Sequence, residues 1–163
     1  SELIEFIRES GMDFSLGGGF YPEVHQEADS PEQDFESLKV KARAGADFLT
    51  SQLFFKNDVY FDYQKRCDAA GLQTPLVPGL MPITSYKQIS RLTTMAGCEI
   101  PEDLIQELEA CGEDKEKVRD ASLSFSVAQC RELIDSGAPG IHFYTLNQSS
   151  ITMEILQSLQ NGT

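Results

Sequence analysis

The stretch Tyr21-Pro22-Glu23-Val24-His25-Gln26-Glu27 gathers an aromatic ring, two carboxylates and an imidazole directly after Gly17-Gly18-Gly19-Phe20. Glycines let a backbone or a ligand approach closely, and Pro22 ends regular strand pairing. The stretch therefore reads as a binding loop at the C-terminal end of a buried strand. Further on, Asp34, Ser37 and Lys41 repeat at i, i+3 and i+7, which sets a carboxylate, a hydroxyl and an ammonium along one helix face. The same row also suits a solvated face. Gln52 lies among bulky apolar residues in Phe48-Leu49-Thr50-Ser51-Gln52-Leu53-Phe54-Phe55. A buried amide without a partner costs roughly 1–3 kcal/mol, so an inward-facing Gln52 must find one. His142, Tyr144 and Asn147 close the set of polar groups at strand ends. Cys67, Cys98, Cys111 and Cys130 are widely separated and only two histidines are present, so no zinc site or disulfide framework is signalled, and free thiols are expected.

These groups need elements to hold them. Leu3, Ile4 and Ile7 predict a short amphipathic helix ending near Gly11, followed by a strand from Phe14 into the glycines. Ser30-Pro31-Glu32-Gln33 is a helix start, with Ser30 as N-cap, Pro31 in the first turn and Gln33 closing a capping box; the helix runs to about Gly45. Phe48–Phe55 reads as the second strand. Tyr60, Tyr63, Cys67 and Ala70 mark the helix after it, stopping at Gly71. Pro75–Ile83 is an apolar strand punctuated by proline. Ile89, Leu92 and Met95, then Leu104 and Leu108, then Val118, Ala121, Phe125 and Ala128 are the apolar rows of three more helices. Gly140–Leu146 is the last strand, and Ile151, Ile155 and Leu159 mark a closing helix.

Four strands alternating with helices predict βαβ units and a parallel sheet with right-handed crossovers. Each strand is apolar and turns polar at its C-terminal end, where α/β folds assemble their sites. The expected fold is the parallel (β/α)8 TIM-barrel type, of which this chain supplies about the last four βα units, since 163 residues fall well short of the ~250 of a full barrel. Four strands cannot close a ring, so a partner is expected: a missing N-terminal half, or a second copy of the chain. The open doubly wound sheet is the alternative, but Gly17-Gly18-Gly19 is not G-x-G-x-x-G and stands far from the helix start at Ser30. No linker interrupts residues 1–163, so they read as one domain. The chain opens at Ser1 directly in helical pattern, as though cut from a longer protein.

Thirteen basic against 26 acidic residues give a formal charge of −13, which argues against a nucleic-acid or anionic-membrane surface. No run approaches the ~20 apolar residues of a membrane span. A cytoplasmic setting is expected.

The stretches Tyr21-Pro22-Glu23-Val24-His25 with Glu27-Ala28, Leu38–Lys41, Ala44-Gly45-Ala46, Gln52-Leu53-Phe54-Phe55, Val77–Ile83 and His142-Phe143-Tyr144-Thr145-Leu146-Asn147 together resemble methylenetetrahydrofolate reductase, in that family's order and spacing. The resemblance covers the second half of the family's catalytic barrel. It implies FAD at the strands' C-terminal ends, NADH or NADPH as reductant, and 5,10-methylenetetrahydrofolate as substrate. By position, Tyr21, His25, Ala28, Asp34 and Lys41 resemble the flavin-contacting residues. Gln52 and Gln88 match positions that contact the folate or the nicotinamide, which share one site. An amide suits the pterin edge because it both donates and accepts. A homo-oligomer is expected of the intact protein.

Departures from the family pattern are Ser37 and Val40 where some members place an asparagine and an arginine, Leu92 for a phenylalanine, and Gln148 for an arginine near the folate. The resemblance also implies that the general acid, a glutamate on the barrel's first strand, and the flavin-tuning aspartate belong to the half not present here. Protonation and hydride donation must meet at one carbon, so no catalytic residue is assigned and this chain alone is expected to be inactive. The alternatives are a non-catalytic half-barrel that self-associates, and a flavin-free homologue within a larger one-carbon complex.

Overall fold

The computed structural model describes residues 1–161. Its elements are α1 (Glu2–Glu9), β1 (Gly17–Phe20), α2 (Pro31–Arg43), β2 (Phe48–Ser51), α3 (Asn57–Ala69), β3 (Leu76–Val77), β4 (Gly79–Leu80), α4 (Tyr86–Ala96), α5 (Glu102–Cys111), α6 (Lys115–Asp135), β5 (His142–Phe143) and α7 (Ser150–Gln160). Helix α2 starts as its sequence dictates: the Ser30 hydroxyl accepts from the Gln33 amide at 3.1 Å with Pro31 in the first turn. The return bond of the capping box is displaced by one residue, because the Gln33 side chain accepts from the Asp29 amide (2.7 Å) and not from that of Ser30.

All strand pairing is parallel. One sheet has the order β1-β2-β3 and the other is β4-β5. Strands β3 and β4 are a single path broken at Pro78, which has no N–H to give to a ladder. Its carbonyl still accepts from the His142 amide at 2.9 Å. The path thus pairs with β2 before the proline and with β5 after it. Among the described residues neighbours follow chain order without reversing.

Two apolar clusters fill the interior. The first joins Phe20, Leu38, Leu49, Phe54, Tyr60, Leu76 and Leu80 to Cys130, Leu133, Ile151 and Ile155. In the second, Leu53, Phe55, Ile83 and Ile89 pack with Leu104, Leu108, Val118 and Ala121. The 21-residue α6 contributes to both. Its buried face departs from the expected apolar row: Ala128 is exposed, whereas Ser122, Ser126 and Gln129 are buried. The physical reason is the short ladders. Strand ends leave backbone groups without sheet partners, and α6 supplies them. Ser122 Oγ accepts from the Ile83 amide (2.8 Å), and Gln129 Nε2 donates to the Phe54 carbonyl (3.1 Å). Met95 also departs from its expected row, lying 66% exposed at the end of α4.

At the opposite end of the strands, Arg8 fastens α1 to the sheet. Its guanidinium donates to the carbonyls of Gly45 (2.7 Å) and Phe14 (2.9 Å) and to Asp47 Oδ2 (2.6 Å), which also accepts from the Leu16 amide at 2.6 Å. Leu3 and Phe6 face outward, each 68% exposed.

Candidate functional site

The loop after β1 folds back on itself. The Val24 amide donates to the Tyr21 carbonyl (3.3 Å), and Val24 takes φ +76°, a left-handed conformation that strains a β-branched residue. The turn brings the His25 ring edge-on to Tyr21, with centroids 4.3 Å apart. Asp34, on the first turns of α2, holds the loop by accepting the His25 amide at 3.2 Å. His25 Nδ1 accepts from the Glu27 amide (3.0 Å), and the His25 carbonyl accepts from the Ala28 amide (3.0 Å). With Nδ1 accepting, the neutral ring carries its proton on Nε2, which becomes a donor. Lys41 reaches back from α2 to donate to the Gly19 carbonyl at 2.8 Å. The structure therefore brings Tyr21, His25, Ala28, Asp34 and Lys41 together around the C-terminal end of β1.

Gln52 follows β2, and its amide extends the pairing by donating to the Phe20 carbonyl at 2.7 Å. The partner that its half-buried side chain requires is local: Oε1 accepts from the Leu53 amide at 2.9 Å. Gln52, Tyr21, His25, Gln26 and Glu27 line a cleft of about 220 Å³ that Met95 and Ala96 of α4 close from above. A second concavity, of about 20 Å³, lies between the ends of β4 and β5; Ile83, Gln88, Leu92, Tyr144, Leu146 and Gln148 are among its walls. Gln88 accepts there from the Thr84 hydroxyl at 3.1 Å. Gln52 and Gln88 thus occupy two concavities that share α4 as a wall.

Two of the departing positions, Leu92 and Gln148, stand in the second concavity. Ser37 turns its hydroxyl to the Gln33 carbonyl (3.1 Å), and Val40 is exposed.

Several residues that organise the site carry little local signal. Tyr144 crosses from β5 to donate its hydroxyl to the Ser51 carbonyl at 2.8 Å, passing over Gly79. Ser51 Oγ in turn accepts from the Gly79 amide at 2.7 Å. Burial pushes the Tyr144 hydroxyl up, and neighbouring Tyr21 adds to the shift. Glu23 accepts from the Glu99 amide (3.0 Å) through Oε2, while its Oε1 is buried without a partner. Burial raises the Glu23 carboxyl above its ordinary range; the Glu99 amide opposes this and the Glu99 charge reinforces it. The signal for Glu23 was its place beside Pro22 in the loop, but its partner is 76 residues away.

The residues around β1 fit a group with phosphates and hydroxyls: Lys41 and His25 Nε2 offer donors, Asp34 offers an acceptor and Tyr21 a ring face. Among the described residues, no group of three or more His, Cys, Asp or Glu side chains is placed to hold a metal ion, and no helix is long and apolar enough to cross a membrane.

The family model described as methylenetetrahydrofolate reductase matches residues 1–160. A probable methylenetetrahydrofolate reductase (NADPH) of Caenorhabditis elegans is 38% identical over 97% of this chain, which covers 24% of that protein. The 5,10-methylenetetrahydrofolate reductase of Escherichia coli (strain K12) is 31% identical over 98% of this chain and 53% of its own length. The chain thus spans about half of its bacterial relatives and about a quarter of the nematode one. A Clostridium thermocellum protein that binds two copies of 5-methyl-5,6,7,8-tetrahydrofolic acid superposes with a TM-score of 0.58 at 21% identity, over 96% of this chain and 57% of that one, a likeness of fold.

Proposed function

Because the chain belongs to the methylenetetrahydrofolate reductase family, we propose that it forms the C-terminal half of a (β/α)8 barrel that reduces 5,10-methylenetetrahydrofolate to 5-methyltetrahydrofolate with NADH or NADPH and FAD. The observation that carries this reading is the convergence of Tyr21, His25 and Gln52 on one cleft at the strands' C-terminal ends, with Asp34 and Lys41 beside it. A flavin held there by Tyr21, His25, Asp34 and Lys41 would supply hydride transfer from the nicotinamide to the folate's methylene carbon.

The chain's own residues bind and orient. Lys41 and His25 Nε2 donate to phosphate oxygens, Asp34 accepts from hydroxyls while fixing the loop, and Tyr21 offers its ring. The Ala28 contribution is through its backbone. Gln52 and Gln88 address the amide-like edge of the pterin from two sides, with Leu92 as apolar wall. The C. thermocellum protein's affinity for a methylated folate supports that substrate class. Clefts of about 220 and 20 Å³ fall below the ~300–1,000 Å³ usual for ligand sites, in keeping with walls supplied by a second half-barrel.

Among the described residues β1 and β5 each pair on one side only, and Leu3, Phe6, Met12 and Phe14 are exposed. These features favour a second reading, a non-catalytic half-barrel that closes on another copy of itself.

The deciding experiment is a flavin titration, followed by FAD fluorescence and NAD(P)H-dependent bleaching, of the chain alone and of the chain joined to a family N-terminal half. Binding and bleaching only in the joined protein are expected. A joined protein that takes no FAD overturns the reductase reading, and a stable dimer of the chain without flavin affinity establishes the second.

A further inference from the structure

Helix α4 is tied to the loop after β1 through its C-terminal end. Its final turn carries the Thr94 carbonyl, which accepts from Gln26 Nε2 at 2.6 Å, and three residues past the helix the Glu99 amide donates to Glu23 Oε2 at 3.0 Å. Lys56, from the segment after β2, adds a 2.5 Å ion pair to the Glu99 carboxylate. Gly97 ends the helix at φ +70°, a left-handed conformation that favours glycine, and a Cβ there would lie 2.8 Å from Gln26 Cγ and push that side chain aside. The other end, at Ser85, has no side-chain cap and is tied to α5 instead, where the Tyr86 hydroxyl donates to Glu109 Oε1 at 3.2 Å; Gln88 beyond it is exposed. Every fastening of α4's C-terminal end to the loop after β1 therefore comes from the segment that also carries Tyr21 and His25.

We propose that Glu23 and Gln26 latch α4 to the flavin loop, and that Glu23 is a positioning residue which sets where Gln88 and Leu92 meet the folate. The inference rests on the reductase reading for what α4 presents, but not for the latch itself. Among the described residues Glu23 makes one hydrogen bond, to the segment after α4, and leaves Oε1 buried and unpartnered. An orphaned oxygen of that kind costs stability, so the carboxylate's contribution is placement rather than strength. A shift of the loop on cofactor binding reaches α4 through these bonds, which couples two concavities that share no other wall.

Two measurements test it. In the chain alone, Glu23→Ala should speed amide exchange at Gly97, Cys98 and Glu99 by about tenfold, the equivalent of one hydrogen bond, while Glu23→Gln, which keeps an acceptor for the Glu99 amide, should not. In the barrel completed by a family N-terminal half, Glu23→Ala should raise the KM for folate by about tenfold with FAD content unchanged, and Glu23→Gln should restore it. Unchanged exchange in the alanine variant overturns the latch. An unchanged KM, or FAD content that falls as KM rises, overturns the positioning role. If the completed parent barrel takes no FAD, the reductase reading fails, and the exchange result still decides the latch.

Discussion

At Gly79 a single methyl group has no room. A Cβ there would sit 2.3 Å from the Ser51 carbonyl oxygen and 2.7 Å from Tyr144 Cε2, and the first of these is backbone that cannot swing aside. Gly79→Ala is expected to cost about 1–3 kcal/mol, the usual range for overpacking, read as a lowered urea midpoint. Ser51→Ala, which leaves the buried Gly79 amide without its acceptor, should likewise cost about 1–3 kcal/mol. The sequence shows Gly79 as a glycine inside a strand and nothing more. Its reason is the Ser51 carbonyl together with the Tyr144 ring bonded to it across 93 residues, and no local pattern encodes a contact of that separation. Val24 is a second case. Neither β-branching nor neighbours announce a left-handed residue; it accompanies the turn in which the Val24 amide donates to the Tyr21 carbonyl.

Elements were legible where their signals are local. Ser30, Pro31 and Gln33 mark the start of α2 because capping acts within one turn, and glycines 11, 45, 71 and 97 stop helices through their own positive φ. The polar face of α6 was not legible, since Ser122 and Gln129 answer to strand ends that only the assembled sheet leaves unpaired. The clamp on α1 is likewise tertiary, and it yields a pH prediction. The Leu16 amide first, and the Arg8 guanidinium second, hold the exposed Asp47 carboxyl below its ordinary value of 3.8. A carboxyl depressed in the folded state stabilises the fold above its unfolded pKa, and that contribution is lost as pH falls from there through the folded value. Acid unfolding of the parent should therefore show a limb below about pH 4 that Asp47→Asn flattens, measured as melting temperature against pH.

For the whole molecule, strand order was readable from the alternation of strand and helix, because parallel neighbours require a crossover and crossovers keep one hand. The break at Pro78 was readable as punctuation, but its effect, one strand path pairing with β2 on one side of the proline and with β5 on the other, is a property of the assembled sheet. The division of the interior was not readable at all. Among the described residues, fifteen buried residues form the cluster around β1, β2 and α3, and eight form the one beneath α4 and α5. The smaller cluster has less apolar surface to hold it closed, so the molecule should come apart in two cooperative steps, with amides of α4 and α5 exchanging through a lower-energy opening than those of β2 and α3. A single opening energy across both groups would refute this. Helix α6 spans the boundary, with Val118 and Ala121 on one side and Cys130 and Leu133 on the other. It works like a beam set in two walls: when the weaker wall gives way, the helix stays anchored by its far end, and the segment carrying Gln88 can come loose and return without the rest of the protein being rebuilt.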